Sequence, residues 1–149
     1  MQARAKVAHW LGAKPSEIVF TSGATEANNL AIYGVLAKGG SAIVSAIEHE
    51  SVLEPVAGFD HRVLAVDGFG SVGAEQLAEM IDDTTRLVSV MYANNEVGTI
   101  QKLSELSAII AEARDNRRAK GNTEPLYVHT DASQAANLLD LHVDKLGVD

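Results

Sequence analysis

The chain contains no cysteine at all. That absence excludes a disulfide-stapled scaffold and a thiolate metal site within these residues. No apolar run is long enough to span a bilayer, and the opening residues carry no secretory-signal pattern. A cytoplasmic location without a membrane partner is the resulting expectation. Basic side chains are scarce as well: 12 Lys and Arg stand against 20 Asp and Glu, for a formal net charge of -8. A surface of that sign disfavours nucleic acid and anionic lipid as partners. The one basic cluster, Arg114 to Lys120, reads as a solvated helix C-terminus where cations oppose the helix dipole. Repeats and low-complexity tracts are missing too.

What is present suits a folded domain. The 149 residues are 46% hydrophobic and 21% charged, enough chain to bury a core and too apolar to stay disordered. Strand-like and helix-like segments alternate along it. Helices are expected over 3–11, 24–37, 51–56, 74–81, 103–114 and 132–139, and strands over 17–21, 41–46, 62–66, 86–91 and 126–130. In the second helix Ala27, Leu30, Ala31 and Gly34 recur at helical spacing. Gly121 to Pro125 reads as an exposed loop. This βαβα rhythm predicts an α/β fold, a three-layer α/β/α sandwich with a mostly parallel sheet.

In such sheets ligands bind beyond the carboxyl ends of the strands. The unusual polar residues fall at those ends. The first expected strand runs into Ser22-Gly23-Ala24-Thr25, the second into Glu48-His49-Glu50, the fourth into Asn94-Asn95-Glu96, and the fifth into Asp131 and Gln134. A helix entered at Gly23-Ala24-Thr25 offers unpaired N–H groups and the positive end of its dipole to a phosphate. By itself that stretch is equally compatible with ordinary helix capping. A carboxylate beside a phosphate cradle suits a phosphorylated heteroaromatic cation, and pyridoxal 5'-phosphate (PLP) fits. Asp131 would pair with its pyridine N–H, Asn95 and Gln134 would reach its phenolic oxygen, and His49 would cover the ring and move protons.

Four blocks carry a resemblance: Phe20-Thr21-Ser22-Gly23-Ala24-Thr25-Glu26, Glu48-His49 ahead of Ser51-Val52-Leu53, Asn94 to Gln101, and His129-Thr130-Asp131-Ala132-Ser133-Gln134. Together and in this order they resemble the PLP-binding large domain of the class V aminotransferase family, nearest the cysteine desulfurases. The resemblance implies a fold-type I PLP enzyme, with residues 1–149 as an incomplete large domain. It implies phosphate contacts from Ala24 and Thr25, His49 stacked on the ring, Asn95 and Gln134 at the phenolic oxygen, and Asp131 on the pyridinium. It further implies L-cysteine as substrate, alanine as product, a homodimer, and a sulfur-acceptor protein serving iron–sulfur cluster or thio-cofactor assembly.

The family's Schiff-base lysine follows a histidine on the turn after the Asp-x-x-Gln block. None of Lys6, Lys14, Lys38, Lys102, Lys120 or Lys145 stands in that context. The expectation is an internal piece of a larger enzyme, inactive alone. Other readings compete residue by residue. Asp131 could cap a helix starting at Ala132, Asn94-Asn95 could be a plain turn, and Glu96 could hold its loop. His129 and Asp131, with Glu48 and His49, could suggest a metal site. Another class V activity, such as an aminotransferase, a selenocysteine lyase or a kynureninase-like lyase, shares the same core. A non-catalytic cofactor-binding or scaffold domain is the remaining alternative.

Overall fold

Residues 2–149 are described by a computed structural model. The elements run α1 (Gln2–Leu11), a 3-10 turn (Pro15–Glu17), α2 (Ala24–Leu36), β1 (Ser41–Ser45), α3 (Glu50–Val56), β2 (His61–Leu64), α4 (Ala74–Met80), β3 (Thr85–Ser89), α5 (Leu103–Ala119), β4 (Tyr127–His129) and α6 (Val143–Leu146). The four strands form one sheet in the order β2-β1-β3-β4, and every pairing is parallel. The expected α/β/α sandwich is therefore what forms.

Strand alternation sorts the apolar side chains onto two faces. Ile43 and Val88 point to one side, where Leu77 of α4, Leu103, Leu106 and Ile110 of α5, and Leu146 of α6 close over them. Ala42, Val44 and Leu87 point to the other, against Ile32 and Leu36 of α2 and Val52 and Val56 of α3. Covered on both faces, β1 is buried at all five positions. That is the signature of a central parallel strand.

Three expectations give way. Residues 17–21 do not form a strand: Pro15 opens a 3-10 turn, and the following residues pair with no sheet edge, leaving Val19 and Phe20 more than half exposed. A β-prone run without a hydrogen-bonding partner stays extended but is not a strand. The span 132–139 is a series of turns, because Asn137 adopts φ 66° and a left-handed residue interrupts a right-handed helix. In α2 the buried stripe is Asn28, Ile32 and Leu36, while Leu30 is exposed. The helix is apolar on more than one side, so packing chose the face. The basic cluster does lie at a helix C-terminus, with Arg117 and Arg118 in the last turn of α5, but it is not wholly solvated: Arg117 is buried and donates to the Thr85 and Asp83 carbonyl oxygens at 2.9 and 3.1 Å. Gly121 to Pro125 runs as an open loop.

Candidate functional site

Chain direction across the sheet reverses between β1 and β3. From β1 the chain moves outward to β2, then crosses back to β3 and on to β4. The crevice beyond the carboxyl ends of β1 and β3 is the place where such sheets hold ligands. A cleft of about 210 Å³ opens there. Ala24, Thr25, His49, Asn95, Asp131 and Gln134 all line it, joined by Ser51, Met91 and Ser133. The structure thus brings together all six residues singled out from the sequence.

The α2 N-terminus forms one wall. Its N-cap, Gly23, supplies no side-chain bond to the first turn, and a Cβ there would meet nothing within 4 Å. The first N–H groups of a helix have no intrahelical acceptor, and here the space before them is open. Glu26 turns back to accept from the Ser22 backbone N–H at 2.6 Å and its hydroxyl at 2.7 Å. Those bonds fix the entry to the helix.

Asp131 is 8% exposed, yet it stays ionised. Burial alone would push its carboxyl up. Donation by the Ser133 hydroxyl (2.6 Å) and by Asn28 Nδ2 (2.8 Å), then by the Ser133 backbone N–H (2.9 Å), outweighs that and holds it below its ordinary range. Its backbone carbonyl accepts from Tyr92 N–H at 2.9 Å, which ties the segment to the end of β3.

His49 is the N-cap of α3, its Nδ1 accepting from the Ser51 backbone N–H at 3.1 Å. The Ser51 hydroxyl lies 2.8 Å from the same nitrogen. Asn95 and Gln134 are exposed to the cleft. Their neighbour Asn94 is structural: its Oδ1 accepts from the Glu96 and Val97 N–H groups at 2.8 and 2.9 Å, and its Nδ2 donates to Ile47 O at 3.0 Å. The loop is held by Asn94 and not by the Glu96 side chain.

Beneath the cleft lies a buried polar layer whose connections the sequence reading did not identify. Glu48 Oε1 accepts from Ser45 Oγ and from Met91 N–H, each at 2.6 Å. Ser89 Oγ donates to Glu48 Oε2 at 3.5 Å and sits 2.8 Å from His129 Nδ1. Ser89 and His129 are register partners on β3 and β4, which explains the contact. Burial raises the Glu48 pKa to about 7 despite its donors, and burial lowers that of His129 despite nearby Asp131. The small polar residues closing β1 and β3, Ser45 and Ser89, were the available sequence signal, since each ends an apolar run, Ala42 to Val44 and Leu87 to Val88.

Among the described residues, no three His, Asp or Glu side chains are grouped to hold a metal ion. No lysine lines the cleft, and Lys145 pairs with Asp140 at 2.6 Å on the surface. His142 packs against Gly12, where a Cβ would fall 2.2 Å from the ring.

The family model for aminotransferase class-V matches residues 1–149. The chain belongs to the class-V aminotransferase family. Cysteine desulfurase IscS of Dictyoglomus turgidum is 43% identical over 157 residues, spanning 99% of this chain and 37% of the relative. A solved structure of SspA in complex with cysteine matches with TM-score 0.88 at 38% identity, over 99% of this chain and 42% of that one. A structure of C-DES with glycine covalently linked to its PLP cofactor matches with TM-score 0.81 at 25% identity, over 99% of this chain and 39% of that one. This class-V aminotransferase chain therefore spans well under half the length of these relatives, and its sheet is that of the fold-type I PLP enzymes.

Proposed function

We propose that this chain is the cofactor-binding part, residues 1–149 of a larger large domain, of a PLP-dependent cysteine desulfurase acting on L-cysteine. The observation that carries the reading is Asp131: a carboxylate kept ionised while 8% exposed, in the same cleft as the open α2 N-terminus. That pair of features matches a ligand with a cationic ring nitrogen at one end and a phosphate at the other. PLP, when bound, supplies an electron-accepting ring for bond cleavage in an amino acid.

In this reading the chain's own residues bind, orient and move protons. The first N–H groups of α2, at Ala24 and Thr25, hold the phosphate, where the dipole favours negative charge. Asp131 pairs with the pyridine N–H and keeps that proton in place. Asn95 and Gln134 donate amide N–H groups to the phenolic oxygen. His49 covers the ring face and carries a proton on its imidazole, which makes it the catalytic residue of this chain. No cysteine is present and no lysine lines the cleft. The imine-forming lysine and the sulfur-accepting thiol are then contributed from outside these residues. Assembly as a homodimer, delivery of sulfur to an acceptor protein for iron–sulfur clusters, and a cytoplasmic location complete the proposal.

The test uses the full-length protein with PLP and L-cysteine. Alanine released together with protein-bound persulfide is the expected result. Keto-acid formation from other amino acids would move the assignment to an aminotransferase, and failure to take up PLP would end the reading.

A further inference from the structure

Asn28 is 4% exposed, lies on the buried stripe of α2, and bonds both Asp131 and Ser51, the partner of His49. Its Nδ2 carries two hydrogens, and both are used. One goes to Asp131 Oδ2 at 2.8 Å, the other to Ser51 Oγ at 2.9 Å. The reversed amide would press its carbonyl oxygen against a carboxylate oxygen, two acceptors without a proton, so the orientation is fixed by chemistry.

The Ser51 hydroxyl, accepting from Asn28, still has its own proton to give. His49 Nδ1 stands 2.8 Å away and already accepts the Ser51 backbone N–H at 3.1 Å. A backbone N–H can only donate, so Nδ1 is the acceptor nitrogen and the neutral ring carries its proton on Nε2. On the far side of Asp131, both Ser133 donors take Oδ1. Asn28 takes the other oxygen, and neither end of the carboxylate is left to turn.

We propose that Asn28 is a positioning residue: it locks the Asp131 carboxylate from below and, through Ser51, sets His49 in register with it as the Nε2–H tautomer. The three groups come from distant segments, with Asn28 on α2, Ser51 on α3 and Asp131 beyond β4. One amide makes them a unit. The Nε2–H form gives His49 a donor on the nitrogen away from Ser51, so the ring enters any reaction as a proton donor at that atom. The purpose of this arrangement rests on the cofactor reading above, while its test does not.

The test is nuclear magnetic resonance on the full-length protein, labelled with 15N at histidine and 13C at the aspartate carboxyls, first without PLP and then with it. His49→Gln and Asp131→Asn assign the two signals. In the wild type, the His49 proton is expected on Nε2. Asn28→Leu, nearly the same size without a donor, is expected to raise the Asp131 titration midpoint and to move the His49 Nδ1 resonance. Ser51→Ala is expected to move only the His49 signal, and Ser51→Thr, which keeps the hydroxyl, to restore it. A wild-type ring protonated on Nδ1 would overturn the proposal. So would a folded Asn28→Leu variant with both signals at their wild-type values. If Asn28→Leu does not fold, Asn28→Ala is read in the same way. A protein with the expected proton pattern that takes up no PLP would leave the positioning role standing and remove the cofactor reading.

Discussion

Glu48 and Asp131, which follow the strands on either side of β3, carry the same functional group and hold their protons oppositely. Glu48 is 6% exposed, and burial lifts its pKa from 4.5 to about 7. Asp131 is 8% exposed, and its donors reverse the effect of burial and keep it ionised. Each is also felt by its surroundings: Asp131 is one of the causes that raise Glu48. Two like charges close together in a poorly solvated site are costly, and environments that push the pair apart leave one charge where it is useful.

The Glu48 contribution to folding stability should fall as the pH rises from about 4.5 to about 7, opposite in sign to that of buried His129, whose lowered pKa makes its own contribution rise with pH below its ordinary value. Across that window the unfolded chain has released the Glu48 proton and the folded one still holds it. The stabilisation is fully present below the unfolded value and is lost as pH passes through the folded value. The shift corresponds to about 3 kcal/mol in total. Denaturant melts at a series of pH values should show this component in the wild type and lose it in Glu48→Gln. An unchanged slope in the variant would remove Glu48 as its source.

Asp131→Ala should separate function from folding. Loss of the ring-nitrogen partner is expected to cut cysteine turnover of the full-length enzyme by at least about 100-fold. The stability cost should stay near about 1–2 kcal/mol, because Ser133, one of the two residues left without an acceptor, is exposed. Parallel turnover and thermal-melt measurements decide it, and near-normal turnover would end the pyridinium assignment.

His49 caps α3 as well as facing the cleft, so two substitutions should divide its roles. His49→Ala removes the cap and is expected to cost about 0.5–2 kcal/mol of stability along with turnover. His49→Asn retains an N-cap acceptor and should recover the stability but not the turnover. Equal turnover in the Asn variant and the wild type would show that the imidazole moves no essential proton.

Gly40 sits where α2 hands over to β1, with φ 95°. A Cβ there would fall 2.2 Å from Arg86 Cγ and 2.8 Å from the Thr84 carbonyl oxygen. The side chain can move, but the carbonyl is engaged by the Ser41 N–H at 2.9 Å. Gly40→Ala is expected to destabilise the fold by about 1–3 kcal/mol. Equilibrium unfolding checks this, and an unaltered midpoint would mean that the turn can relax.

The 149-residue chain by itself should give no sustained, PLP-dependent release of alanine from cysteine, because no lysine lines the cleft. Continuous alanine assay of the purified chain tests this directly, and repeated turnover would contradict the assigned division of roles.

The sequence by itself determined the layered α/β architecture and the six cleft residues. Both are legible locally: short apolar runs between helical segments mark the strands, and the polar residues beyond β1, β3 and β4, with the helix entry at Gly23-Ala24-Thr25, mark the crevice. Tertiary structure alone decided which apolar run became a strand. Val19 and Phe20 have the right composition, but no sheet edge offers them a partner. It also decided that Asn28, on a helix apolar on several sides, turns inward to a carboxylate 103 positions away. The proton on Glu48 belongs to the same class of outcome. A carboxyl's charge depends on the water it loses and the donors it meets, and Met91 brings its N–H to Glu48 from 43 positions along the chain.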